Sequence, residues 1–172
     1  MHTSPFILII TGPAGSGKST VSARLSKQFR NCVHIETDQI KHLVTTGFKY
    51  NETKVGQKQW KLLGTNIGCL AKNFHQQKYT IIINGCVDET TWQNLEQQIE
   101  ITHKILLLPD LNTTIKRDAR RTIKARIGKK AITEHYELFQ STYFKDFTTI
   151  NSANHTITRT VNTIKKIIEK KK

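Results

Sequence analysis

A glycine-rich segment near the start of the chain constrains its fold more than any other feature. Residues 12–20 read GPAGSGKST and match the pattern G-x-x-x-x-G-K-[ST] in full. An apolar run at residues 6–10 precedes this segment, and Val21, Leu25 and Phe29 follow it at four-residue steps. The sequence therefore predicts a buried strand, a tight glycine loop and a helix in direct succession.

This segment has the composition of a loop that binds phosphate. Glycines adopt backbone conformations that other residues avoid, and successive N–H groups at a helix N-terminus form a nest for an anion. Lys18 is expected to reach the β- and γ-phosphates of ATP or GTP, and Ser19 to place its hydroxyl on Mg²⁺. A chance glycine-rich turn is the alternative, which the correct flanks disfavour. The residues expected to bind the nucleotide are Gly12, Pro13, Ala14, Gly15, Ser16, Gly17, Lys18, Ser19 and Thr20.

Apolar runs alternate with helical patterns along the rest of the chain. The runs lie at residues 6–10, 32–35, 80–83, 105–108 and, more weakly, 147–150, and uninterrupted apolar runs are typical of strands buried on both faces of a parallel sheet. Alternating strands and helices indicate right-handed βαβ units, so we expect helices on both faces of a five-stranded, mostly parallel sheet. Four further helical stripes are Leu63, Ile67, Leu70 and Phe74; Ile115, Ala119 and Ile123; Ile132, Tyr136, Phe139 and Tyr143; and Ile157, Val161, Ile164 and Ile168.

Length and cysteine content limit the class of protein. A chain of 172 residues suits one domain, which we expect to span residues 1–172. Its three cysteines, Cys32, Cys69 and Cys86, are odd in number and far apart, which disfavours a disulfide framework or a cysteine-based zinc site. No run near the start is long enough for a membrane span or has the flanks of a signal peptide. We expect a cytoplasmic protein, monomer or homodimer, with no membrane partner.

The charge balance leaves two interpretations open. The 27 lysines and arginines outnumber the 13 acidic residues, for a net charge of +14, and such a surface attracts polyanions such as nucleic acid. The chain is also rich in Ile, Lys, Asn and Thr, as proteins of AT-rich genomes often are, and its lysines are scattered. The five lysines of residues 165–172 are interleaved with isoleucines at helical spacing, which favours the end of an amphipathic helix over a nucleic-acid-binding arm.

An acidic residue follows the second predicted strand. Asp38 lies in the segment IETDQIK at residues 35–41, and carboxyl ends of parallel strands face the ligand crevice in open α/β sheets. A carboxylate there can orient an acceptor hydroxyl, accept its proton and take part in holding Mg²⁺. Lys41 is expected to hold an anionic part of the acceptor. A plain helix N-cap is the alternative for Asp38.

Arginines cluster late in the chain, at Arg117, Arg120, Arg121 and Arg126. Arg117 and Arg121 are four residues apart and share a helix face, and guanidinium groups suit phosphate oxygens. Residues 122–130 are expected to form a short lid that closes over the γ-phosphate and brings arginines onto the transferring group. A solvated basic helix face is the alternative.

Together these motifs resemble those of small P-loop kinases of the shikimate/gluconate kinase-like branch, which includes chloramphenicol phosphotransferase-like proteins and the kinase domain of polynucleotide kinases, and whose members are often called AAA family ATPases. The resemblance rests on residues 12–20, 35–44, 80–85 and 106–109 and on the arginine cluster. It implies a three-layer α/β P-loop NTPase fold, ATP and Mg²⁺ as cofactors, Asp38 as the acceptor-activating residue, and Arg117, Arg121 and Arg126 as lid arginines that contact ATP. It also implies that residues 151–155 border the adenine ring.

One departure from the family pattern concerns the metal. The third strand of these kinases usually ends in an aspartate that orders the Mg²⁺ shell, whereas this chain has Asn84, with Asp88 four residues on. Asn84 is expected to act through a metal-bound water, without a charge of its own. Residues 45–76, with Tyr50 and Trp60, are expected to form the acceptor side. We therefore predict a kinase for a small-molecule hydroxyl; the alternatives are a polynucleotide 5′-hydroxyl kinase and a nucleotide-binding regulatory module with little catalysis.

Overall fold

A single sheet of parallel strands organises the chain in the computed structural model, which describes residues 4–50 and 53–170. The strands are β1 (Ile7–Thr11), β2 (Cys32–Glu36), β3 (Thr80–Gly85), β4 (His103–Leu107) and β5 (Thr148–Ile150). Their order across the sheet is β2-β3-β1-β4-β5, and each neighbouring pair is parallel. This confirms the predicted α/β fold, with all four strand pairings parallel where mostly parallel pairing was expected.

Helices cover both faces of this sheet. They are α1 (Lys18–Ser26), α2 (Thr37–Lys41), α3 (Lys54–Gln76), α4 (Glu89–Glu96), α5 (Leu111–Ala119), α6 (Lys129–Leu138) and α7 (Ile157–Lys170), with short 3₁₀ turns at Ile123–Ala125 and Thr142–Asp146. Among residues 4–50 and 53–170, no helix is both long and apolar enough to cross a membrane.

The central strand β1 is apolar at residues 7–10 because both of its faces are buried. Successive strand side chains point to opposite faces, so Ile7 and Ile9 enter a core built mainly by α3 and α4, whereas Leu8 and Ile10 enter a second core built by α1 and α7. All four side chains are buried, each contributing about 1.5–3 kcal/mol of hydrophobic stabilisation. The two cores hold the carboxyl end of β1 rigidly at the middle of the sheet, where the glycine loop begins.

Three elements differ from the sequence-based expectation. The stripe from Ile132 to Tyr143 is interrupted, because α6 ends at Leu138 and Tyr143 lies in the 3₁₀ turn at Thr142–Asp146. The helix α4 was not predicted; it places Trp92 and Leu95, both fully buried, against α3. The stripe that was expected to continue to Ile123 is wrong at that residue, because α5 ends at Ala119 and the Ile123 side chain is 82% exposed.

Candidate active site

The glycine-rich segment forms a tight loop between β1 and α1. Gly12 has φ +146°, and a Cβ there would lie 2.2 Å from the carbonyl oxygen of Leu107, so no larger residue fits. Gly17, at φ 93°, precedes α1 without any side-chain cap, which leaves the first N–H groups of the helix available to an anion. Lys18 Nζ donates to the Pro13 carbonyl oxygen at 3.3 Å, so the ammonium group is held over the loop.

Arg117 connects this phosphate loop (residues 12–20) to the segment after β5. Its Nη1 donates to the Ser16 carbonyl oxygen at 3.4 Å, and its Nη2 donates to the carbonyl oxygens of Ser152 at 2.9 Å and Ala153 at 3.3 Å. The Ser152 hydroxyl donates to the same Ser16 oxygen at 3.4 Å. The guanidinium group therefore braces the loop from one side, and residues 151–155 lie beside it.

The other two predicted arginines lie in different surroundings. Arg121 lines the cavity above the phosphate loop and pairs with Asp118 at 3.3 Å. Arg126 is not part of the cavity lining, because its Nε donates to the Arg121 carbonyl oxygen at 2.9 Å. Of the three, the structure thus brings Arg117 to the loop and Arg121 into the cavity that the loop lines, whereas Arg126 is exposed outside the lining.

Sequence reasoning missed the buried carboxylate that organises this segment. Asp118 is only 2% exposed and accepts hydrogen bonds from the backbone N–H groups of Ile127 and Gly128, each at 3.2 Å, besides its pairing with Arg121. The sequence does hold a signal for this role. Asp118 is an acidic residue with arginines on both sides, at Arg117 and Arg121, so an ion pair could have been predicted there.

At the carboxyl end of β2, Asp38 lies in the first turn of α2. Glu36 occupies the N-cap position, so the structure does not support the alternative in which Asp38 caps the helix. The Asp38 side chain is 61% exposed, and its Oδ1 lies 2.6 Å from Lys41 Nζ, whose side chain is only 12% exposed. Lys18, Ser19, Asp38 and Lys41 all line one cavity of about 940 Å³. The structure therefore brings the loop and the predicted base together.

Asn84 stands at the carboxyl end of β3, next to the loop. Its Oδ1 accepts a hydrogen bond from His34 Nε2, and its Nδ2 donates to the Ser19 hydroxyl at 3.4 Å. The amide nitrogen, and not the oxygen, therefore faces the position expected for Mg²⁺. Asp88 does not take over this task, because it caps α4 by accepting from the Thr91 N–H at 2.9 Å and the Thr91 hydroxyl at 2.6 Å.

The remaining donors still suit a hard cation. Ser19 and Asp38 both line the cavity and supply oxygen atoms, the ligands that Mg²⁺ prefers. Within the described part of the chain, His, Cys, Asp and Glu side chains form no group of three or more that could hold a metal by themselves. A magnesium ion at this site would therefore depend on nucleotide phosphates for much of its coordination.

A cysteine–histidine contact also lines the cavity, and sequence reasoning did not find it. Cys86 Sγ lies 3.7 Å from Nδ1 of His135 in α6. Burial raises the pKa of the Cys86 thiol, but the Lys18 ammonium and the hydrogen bond with His135 outweigh it, so the pKa lies below its usual value. The same hydrogen bond raises the pKa of His135. No local pattern joins two residues 49 positions apart.

Comparison with known proteins agrees with this architecture. A family model described as an AAA domain matches residues 7–145. No curated protein matches the sequence.

Solved structures share the fold at low sequence identity. The shikimate kinase of Acinetobacter baumannii in complex with shikimate has a TM-score of 0.67 and 15% identity, covering 98% of this chain and 95% of that one. The tunicamycin resistance protein of Deinococcus radiodurans has a TM-score of 0.68 and 15% identity, covering 96% of both chains. A chain of the Pnkp1/Rnl/Hen1 RNA repair complex has a TM-score of 0.58 and 22% identity over 84% of this chain, which spans about half, 47%, of that one. These similarities establish the fold alone.

Proposed function

The chain belongs to the AAA domain family, and from this premise we propose that it is an ATP-dependent phosphotransferase that moves the γ-phosphate to a hydroxyl group of a small molecule. One observation carries the proposal: a phosphate loop and an exposed carboxylate, Asp38, line the same cavity. Several proteins of the same fold are named as kinases, among them the shikimate kinase and a sugar kinase of Janibacter. The resemblance of the motifs to small P-loop kinases supports the same assignment.

The residues divide the task between binding and proton transfer. The loop N–H groups and Lys18 hold the phosphates, and Arg117 braces the loop. Asp38 accepts the proton of the acceptor hydroxyl. At the same time the acceptor oxygen forms a bond to the γ-phosphorus, and the bond from that phosphorus to the β–γ bridging oxygen breaks. Mg²⁺, when bound, would offset charge on the phosphate oxygens, with Ser19 and Asp38 as the residues that would hold it.

The arginine segment completes the proposal. Arg121 already lines the cavity, and Arg126 lies between Ala125 and Ile127, which both line it. We assign residues 122–130 as a lid whose closure excludes water and turns both guanidinium groups toward the transferring phosphoryl group. Lys41 stays paired with Asp38 and orients its carboxylate.

The experiment that tests the proposal is transfer of radiolabelled γ-phosphate from Mg-ATP to a panel of hydroxyl compounds. Lys18→Ala is expected to abolish transfer, and Asp38→Asn to reduce it by roughly 100- to 10,000-fold while ATP binding is retained. Glu100→Gln, an exposed carboxylate outside the cavity, is the control and is expected to be fully active. Normal turnover in Asp38→Asn would remove the assignment of the base.

Two other candidate functions are each favoured by specific observations. The net charge of +14 and the fold similarity to a chain of an RNA repair complex favour a polynucleotide 5′-hydroxyl kinase, for which label would appear on a 5′-hydroxyl oligonucleotide in the same assay. The donor side of Asn84 facing Ser19 favours a nucleotide-binding regulatory module, for which ATP would bind without transfer to any acceptor.

A further inference from the structure

We infer that the acceptor is an uncharged alcohol that carries a planar ring, and that this ring packs on Tyr50 and Trp60 with its hydroxyl directed to Asp38. The inference rests on the proposed function, because it concerns the end of the cavity that the phosphate loop leaves free. It narrows the acceptor from any hydroxyl compound to one chemical class.

The cavity has two ends of different character. Its lining at the phosphate end includes the loop with Lys18 and, from α5 and the turn after it, Arg117 and Arg121. Its lining at the opposite end, named here the acceptor end, includes Asp38, Lys41, Tyr50 and Trp60. The sheet order separates them, because β2 and α2 lie at one edge whereas β4 and α5 lie on the other side of β1.

The charge at the acceptor end disfavours an anionic acceptor. Lys41 Nζ lies 2.6 Å from Asp38 Oδ1, and it also lies 5.4 Å from the Tyr50 ring centroid and 6.0 Å from the Trp60 ring centroid. With its side chain only 12% exposed, this ammonium group has its charge satisfied already. A carboxylate or phosphate on the acceptor would have to displace Asp38 and would meet its negative charge.

No other lysine or arginine in the described cavity lining is available to bind an anionic acceptor. Lys18 is held by the Pro13 carbonyl oxygen, Arg117 by three backbone carbonyl oxygens, and Arg121 by Asp118. All of them belong to the phosphate end, where ATP would use them. An acceptor at the other end thus meets an exposed carboxylate and aromatic walls.

The aromatic residues supply a binding surface for a ring. Phe48, Tyr50 and Trp60 pack on one another with ring centroids 5.1 to 6.2 Å apart, in tilted and edge-on arrangements. Tyr50 is 65% exposed although it is anchored by Phe48 behind it. An anchored and exposed ring loses little conformational entropy on stacking, which suits recognition of a planar group.

Direct binding tests the inference without requiring transfer. Trp92 is fully buried, whereas Trp60 lines the cavity, so quenching of tryptophan fluorescence reports binding at the acceptor end. Uridine and 1-phenyl-1,2-ethanediol are the ring-bearing probes, gluconate is the anionic probe and glycerol is the ringless one, each titrated with AMP-PNP and Mg²⁺ present. Both ring-bearing probes are expected to bind at least about tenfold more tightly than gluconate or glycerol.

Variants connect this binding to the ring surface. Tyr50→Ala is expected to weaken binding of the ring-bearing probes by about tenfold or more, and Tyr50→Phe by less than about twofold, since the ring is kept. Tyr79→Ala is the matched control, because Tyr79 packs on Phe74 outside the cavity. An unchanged melting temperature of Tyr50→Ala shows that any loss is local.

The outcomes separate this inference from the proposed function. Tighter binding of gluconate, indifference of the ring-bearing probes to Tyr50→Ala, or AMP-PNP binding without binding of either ring-bearing probe overturns the inference alone. Failure of AMP-PNP to bind, or ring-probe binding with no label transferred to any acceptor, overturns the proposed function and leaves the ring-binding surface standing.

Discussion

At the scale of single residues, Asn84 is the hydrogen-bond partner of the Ser19 hydroxyl. Its amide nitrogen lies 3.4 Å from Ser19 Oγ, and its oxygen is occupied by His34. A carboxylate at this position would add negative charge and would accept hydrogen bonds from metal-bound water. The amide does neither in its present orientation, so a cation bound beside Ser19 would lack the support that an aspartate at position 84 would give.

Restoring the carboxylate is expected to strengthen cation binding. Asn84→Asp should raise the affinity of the AMP-PNP complex for Mn²⁺ or Mg²⁺ by about tenfold, the scale of an outer-shell partner. Titration of Mn²⁺ followed by electron paramagnetic resonance measures this directly. Asn94→Asp in α4 makes the same change outside the cavity and should leave the affinity as it is. Equal affinities in all three proteins would show that Asn84 has no part in the cation shell.

Burial makes two cysteines chemically different. Burial raises the pKa of the Cys32 thiol to about 11, so at pH 8 only about one molecule in a thousand carries the reactive thiolate. Cys69 is exposed on α3. We expect iodoacetamide at pH 8 to label Cys69 at least tenfold faster than Cys32, and the Cys32 rate to rise as the pH approaches 11. Peptide mass spectrometry over time measures both rates, and equal labelling at pH 8 would contradict the burial argument.

At the scale of elements, one buried side chain joins α5 to the segment before α6. Asp118 accepts hydrogen bonds from two backbone N–H groups, those of Ile127 and Gly128, which would otherwise lack an acceptor in a turn that has no cap of its own. Asp118 therefore fixes the end of the 122–130 segment that leads into α6, while residues such as Ile123 remain exposed.

Removing the attachment should loosen the segment and cost stability. Asp118→Ala is expected to speed hydrogen exchange at the amides of Ile127 and Gly128 by about tenfold and to lower the free energy of unfolding by about 1–3 kcal/mol, because hydrogen-bond donors lose their acceptor. Asp146→Ala, at an exposed aspartate, is the control. Exchange rates that match those of the unchanged protein would refute this role for Asp118.

The same scale shows how far the sequence predicts this molecule. The strands were predictable because strands buried on both faces need uninterrupted apolar runs, as at residues 80–83. The helix α4 was not predictable in this way, because only a few of its residues are buried. Asp88, which caps this helix, also has the side chain of a metal ligand. Motifs in the chain indicate the phosphate loop and Asp38. The pairing of Lys41 with Tyr50 and Trp60 and the contact of Cys86 with His135 arise only from tertiary packing, which leaves no periodic pattern.

At the scale of the whole molecule, most of the positive charge is not neutralised within the protein. The net charge is +14, whereas the described residues contain three ion pairs, those of Lys41 with Asp38, Lys104 with Glu96 and Arg121 with Asp118. Scattered lysines create a diffuse field that attracts any polyanion and falls off within about 10 Å at 0.1 M salt.

Such a field predicts weak and salt-sensitive binding to nucleic acid. Single-stranded DNA should bind at 50 mM NaCl, lose at least about tenfold in affinity by 200 mM NaCl, and show no preference for a 5′-hydroxyl over a 5′-phosphate end. Fluorescence anisotropy of labelled oligonucleotides measures all three properties. Binding that persists at 200 mM NaCl and prefers the 5′-hydroxyl end would favour the polynucleotide kinase instead.

The central position of β1 has a consequence for how the protein is made. The phosphate loop leaves the ribosome before β3 and β4, yet β1 pairs with both of these strands, and the Thr11 hydroxyl donates to the Gly85 carbonyl oxygen 74 residues later. Gly12 also packs on the backbone of Leu107. A nascent chain that ends before β4 therefore lacks one of the two strands that flank β1, together with the Leu107 backbone on which Gly12 packs. The phosphate loop reaches its final position only after β4 has been synthesised and the sheet has closed around β1.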